Sequence, residues 1–160
     1  MDVLFAIHYV LATVCGVIWM FFESRGLRIV GISTLTGVLL GVSRIGGEIT
    51  LSMSSLIILA MAWGVLDYLE EIGHDVERLK LITLLLVFLP VFGFTPLVGF
   101  VVMAFTINVW IYAYYKTSNL AFVPIALGFL IGYLSNFTIG ELGYVIEWGL
   151  VLIGIALLRR

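Results

Sequence analysis

Charged residues are scarce in this chain: Asp, Glu, Lys and Arg make up 11% of its 160 positions, where soluble domains carry about a quarter. That shortage, with 62% hydrophobic residues and a mean hydropathy of +1.22, excludes a water-soluble globule. Cysteine is almost absent. Cys15 stands alone, so no internal disulfide can form, and neither a redox pair nor a thiolate zinc cluster can be built. Basic runs are missing too, and a net charge of −2 gives no grip on a phosphate backbone, so no nucleic-acid partner is expected. Alternation of polar with apolar residues is lacking as well, which excludes barrel strands. Lipid is therefore the solvent, and helices, which satisfy their own backbone groups, are the structure expected.

What the chain does have is long apolar runs. Seven spans are expected, at roughly 3–22, 29–45, 49–68, 79–94, 97–115, 120–135 and 142–158. The first is too long and too poorly flanked for a signal peptide: Asp2 replaces a basic leader and no small-x-small site follows. Loops are minimal, the only sizeable one being Leu69–Arg78. Thr95-Pro96 is expected to divide what would otherwise be one helix from Leu79 to Tyr115, because proline disfavours helix at the preceding residue and Gly93 loosens the turn before it. With seven spans, Arg25, Arg28, Arg78, Lys80, Lys116, Arg159 and Arg160 share one side, and only Arg44 lies on the other. The positive-inside rule then places the N-terminus outside and the C-terminus inside.

A second regularity lies in the order of the rare residues. Shifted by 91 positions, Trp19 falls on Trp110, Arg25 on Lys116, Gly37 on Gly128, Leu39 on Leu130 and Gly41 on Gly132. Two more residues bring Gly47-Glu48 onto Gly140-Glu141. This is the pattern of an internal repeat. The chain then reads as a single polytopic membrane domain, 1–160, with three-helix halves at 1–68 and 97–160 and a connector helix at 79–94. The halves run parallel, as in several transporter folds. This 3+1+3 plan resembles that of the sugar-exporting and PQ-loop carriers in architecture only: none of the prolines here, Pro90, Pro96 or Pro124, precedes Gln.

Several residues stand out as candidates for chemistry. Glu147 sits near the middle of the seventh span, where an ionised carboxylate is costly; it must face a cavity or a partner, or carry a proton. Asn108 and Thr106 lie near the middle of the fifth span, opposite Val17 and Cys15 in the repeat, and serve equally as pathway polar groups or interhelical hydrogen-bond glue. Trp63 is assigned to the same solute or ion pathway. His8, Arg44 and Glu48, with Glu141, cluster toward the outer side, as an outer gate or an exposed ion pair. Asp67, Glu71, His74 and Arg78 share a face if the third helix continues, which makes Asp67, Glu71 and His74 weak metal candidates; Gly73 argues that the helix stops there and the stretch is a solvated loop. Asn136-Phe137-Thr138 matches the glycosylation pattern. The Gly37/Gly41 and Gly128/Gly132 pairs suit close helix approach. Trp19, Trp110, Tyr112, Tyr114 and Tyr115 suit an aromatic belt at the inner interface.

The expectation is a small transporter or channel carrying a small solute or ion between the two halves, without a cofactor, in the plasma membrane of a prokaryote. Its partner is the lipid bilayer, and a second copy would suit a chain this small. The rivals are a membrane-embedded enzyme acting on a lipid, through Asp67 with Glu71 and His74 or through Glu147, and a non-catalytic subunit of a larger membrane complex. No H-E-x-x-H, paired intramembrane aspartates or D-x-x-D cluster supports the enzyme.

Overall fold

A computed structural model describes residues 3–43, 47–93 and 95–159, and only the backbone of Glu48. All regular structure among them is helical: α1 (Val3–Met20), α2 (Arg25–Ser43), α3 (Glu48–Glu71), α4 (Glu77–Phe92), α5 (Pro96–Thr117), α6 (Phe122–Ser135) and α7 (Glu141–Leu158). Five of these, all but α4 and α6, are long and apolar enough to cross a bilayer. Large apolar side chains stand outward on most of them, among them Leu39, Leu85, Phe92 and Leu97, a surface suited to lipid rather than water. The architecture is that expected of a helical membrane protein.

Local chemistry explains the breaks. Gly93 takes φ 148°, and Thr95 then caps α5, its Oγ1 accepting from the Val98 N–H at 3.3 Å with Pro96 in the first turn. The divide at Thr95-Pro96 is therefore real. The third helix overruns its expected end at residue 68 and continues to Glu71. It stops where Gly73 adopts φ 93° and the N–H groups of Gly73 and His74 close back on the carbonyls of Glu70 and Leu69, each at 2.9 Å. The extra turn has a reason: its acids face cations on the neighbouring helices.

Successive helices run antiparallel, and contacts along α1 and α7 show these two running side by side in the same direction. His8 stacks on Tyr144 near their starts, Cys15 Sγ donates to the Trp148 carbonyl further along, and Arg159 covers the Phe22 ring near their ends. Helix neighbours form a closed ring, α1–α2–α3–α5–α6–α7 and back to α1, with α4 packed outside it on α3 and barely touching α5. Exchanging α1, α2 and α3 with α5, α6 and α7 maps every neighbouring pair within the ring onto another neighbouring pair.

Glycines set the tightest crossings. A Cβ at Gly26 would strike the Gly64 carbonyl and the Tyr68 backbone, and one at Gly128 would meet the Glu147 carbonyl. Gly128 and Gly132 thus permit the α6–α7 approach expected of them. In the Gly37/Gly41 pair only Gly41 is needed, making room for the Tyr9 ring of α1; a Cβ at Gly37 would make no more than an ordinary contact with Ile57, and Gly26 and Gly31 set the close backbone approaches of α2.

At one end of the bundle lie all the described lysines and arginines. There Arg25 on α2 reaches Asp67 on α3 at 2.8 Å, and Lys80 on α4 bonds both Asp67 and Glu70. Asp67 is buried, with its side chain 5% exposed, whereas Arg25 is 71% exposed and Lys80 14%. Screening makes the Arg25 contact weak, so Lys80 carries most of the pairing and ties α4 to α3. Asp67→Asn should therefore lower stability by about 1–3 kcal/mol. A thermal melt in detergent reads this loss, and an unchanged midpoint would show that α4 is held by apolar packing alone.

Candidate functional site

The ring encloses a cavity of about 370 Å³ in the half of the bundle away from the basic end. Every ring helix contributes to its wall: His8 and Tyr9 from α1, Ser33 and Thr34 from α2, Thr50 and Ser54 from α3, Met103 from α5, Phe129 from α6 with Asn136 just past its end, and Tyr144, Glu147 and Trp148 from α7. The last three sit at i, i+3 and i+4, one face of a helix, so a single rotational setting of α7 delivers all of them.

Glu147 is the only carboxylate among the described lining residues. Gly132 on the facing helix makes room for its side chain: a Cβ there would overlap the carboxylate. The residue is 8% exposed. No described group donates a hydrogen bond to its carboxylate, and no described cation pairs with it. Above it the His8 ring lies stacked between Tyr9 at 4.5 Å and Tyr144 at 5.1 Å, and the Tyr144 hydroxyl donates to Asn136 Oδ1.

The floor is aromatic. Trp148 meets Phe129 edge-on at 6.0 Å, Phe129 stacks on Trp110 at 5.9 Å, and Trp110 stacks on Trp19 at 6.1 Å and packs against Phe122. Trp19 and Trp110 are fully buried, and their indole N–H groups are sealed off without a hydrogen-bond partner. Both were expected in an interfacial belt; they lie inside the ring instead, stacked on each other within the buried core. Tyr114 and Tyr115 are exposed, as belt residues should be.

Other expected residues fall elsewhere. Asn108 is exposed, and its Nδ2 donates to the Ala104 carbonyl of its own helix. It lines a cleft of about 880 Å³ between α4 and α5. That cleft is larger than the ring cavity, but it lies outside the ring, where α4 and α5 scarcely touch. Thr106 is buried and gives its hydroxyl proton to the Val102 carbonyl. Trp63 lies beneath the Lys80 ammonium at 5.2 Å, also outside the cavity. Of the proposed outer gate, His8 borders the cavity, while Arg44 and the Glu48 side chain lie outside the described residues.

Asp67 and Glu71 are near each other but committed: Asp67 to Arg25 and Lys80, Glu71 to the Gly26 N–H at 3.0 Å. His74 joins neither. Among the described residues no group of three or more His, Cys, Asp or Glu is placed to hold a metal ion. Asn136, of the glycosylation pattern, is tied into the cavity rim through Tyr144. No family model, no curated protein and no solved structure matches this chain.

Proposed function

We propose that this chain is a small transporter or channel that moves a small solute or ion through the ring, between the halves α1–α3 and α5–α7, with Glu147 as the charged element of the pathway. The observation that carries this reading is the unpartnered Glu147 carboxylate in a cavity walled by both halves. An acid at that depth costs roughly 2.5–3.5 kcal/mol, and here no structural partner offsets it. Site geometry also weighs against a lipid enzyme built on Asp67 and Glu71, since Asp67 is taken up by Arg25 and Lys80 and Glu71 by a backbone N–H.

Several features support repeated halves. Ring neighbours exchange consistently under the repeat, and the equivalent residues Trp19 and Trp110 meet each other. Ser54, which the Glu48–Glu141 alignment pairs with Glu147, lines the same cavity. With the basic end in the cytoplasm, the cavity faces outside and the aromatic column closes the inner half, as in an outward-facing state of a carrier that alternates access.

Two measurements test this. In a Cys15→Ala background, single cysteines at 75, 118 and 138 should divide: an impermeant maleimide on intact cells should label 138 alone. Labelling of 75 or 118 from outside would overturn the orientation. For transport, proteoliposomes loaded with a pH dye, acidic inside, should receive a panel of small organic cations, anions and neutral polyols. At least one solute is expected to discharge the gradient or enter faster than in protein-free vesicles; a panel that moves no faster would refute the pathway.

A further inference from the structure

The walls of the Glu147 cavity specify the charge of what it holds. We infer that its occupant is a small organic monocation, such as an amine or quaternary ammonium, bound against Glu147 in exchange for a proton. This rests on the transport reading for its consequence, but the binding chemistry stands on the cavity itself.

Three observations converge. First, Glu147 is more than nine-tenths buried, borders the cavity and has no described partner, so an ionised carboxylate there lacks a counter-charge. Second, the wall presents aromatic rings: Tyr9, His8 and Tyr144 in one stack, and Phe129 with Trp148 below. Rings of this kind attract cations, quaternary ammonium groups in particular, at any face a cation can reach. Third, the hydroxyl protons of Thr34 and Ser54 go to the carbonyls of Val30 and Thr50, at 2.9 and 2.8 Å. Their oxygens are left with lone pairs, which accept from an ammonium and repel an anion.

No lysine or arginine lines the cavity among the described residues, so no permanent cation there pairs with an anionic solute. The titratable groups facing Glu147 are His8 and Tyr9 from α1 and Tyr144 from α7; α2, α3, α5 and α6 present none among the described lining residues. When the cation enters, the Glu147 proton leaves, and when a proton returns the cation is released. Charge balances at one for one, so the exchange follows a pH gradient and ignores a membrane potential.

The test is equilibrium binding to the full chain in detergent, read by tryptophan fluorescence and by proton release in weak buffer. The probes are phenyltrimethylammonium, its neutral isostere tert-butylbenzene, and benzenesulfonate. Phenyltrimethylammonium alone is expected to bind, more weakly as the pH falls, with release of up to one proton for each cation bound. Glu147→Gln should weaken it at least about tenfold and abolish the pH dependence. Trp148→Leu should weaken it about threefold to tenfold and leave the pH dependence intact. His8→Gln should also keep the pH dependence; its loss there would assign the proton to His8 and overturn the exchange. Equal binding of the neutral isostere, or no binding of the cation, would overturn the assignment even if proteoliposomes move another solute. Glu147-dependent cation binding without flux in vesicles would instead uphold the site and refute transport.

Discussion

Proteoliposomes carrying Glu147→Gln are expected to lose gradient-driven uptake entirely, falling to the rate of protein-free vesicles, while the protein stays folded. Gln keeps the length and shape of the side chain, so the fit against Gly132 is preserved, but it can neither bear a charge nor release a proton. No described hydrogen bond is broken by the exchange, because the carboxylate has none. Stability should therefore change little or rise, since a buried acid in an apolar setting is itself a cost. Gly132→Ala provides the complementary perturbation. Its methyl group would occupy the place of the carboxylate, pushing the acid aside, so uptake should be slowed rather than lost. If the Gln variant takes up solute at the wild-type rate, proton coupling at Glu147 is refuted and the cavity is at most a passive route.

Trp110→Ala should act in two ways at once. Trp110 touches Trp19, Phe122 and Phe129 and is wholly buried. Its removal leaves a void of indole size between halves whose equivalent helices α1 and α5 do not otherwise neighbour each other. The expected loss is about 3–5 kcal/mol, read as a lower melting midpoint in detergent. In vesicles the same change should admit water to the inner half of the ring, so a pH gradient drains without any added solute. Trp110→Phe, which keeps an aromatic plug, should cost less and remain tight. Vesicles that stay tight with the alanine variant, despite lost stability, would reduce the aromatic column to core packing.

How much of this was legible beforehand depends on how local the cause is. The seven helices and the divide at Thr95-Pro96 follow from hydrogen bonds within a few residues, so apolar runs and breakers in the chain were enough to place them; the end of α3 was not, because its last turn is polar and continues past the apolar run to Glu71. Glu147 was also readable, because an acid near the middle of a span is conspicuous without any neighbour. Its companions were not. Tyr9, Tyr144, Phe129 and Trp148 became site residues, and Asn108, Thr106 and Trp63 fell outside the cavity, through the rotation of each helix about its axis. In a soluble protein an amphipathic stripe would announce that rotation. Here lipid and protein interior are both apolar, so nearly every face of every helix reads alike. Helix existence, count and breaks, and the depth of the one acid, belonged to the sequence. Which side chains share a cavity with it was decided only where glycines such as Gly26, Gly128 and Gly132 let backbones meet, and where the Trp19–Trp110 pair filled the ring between them.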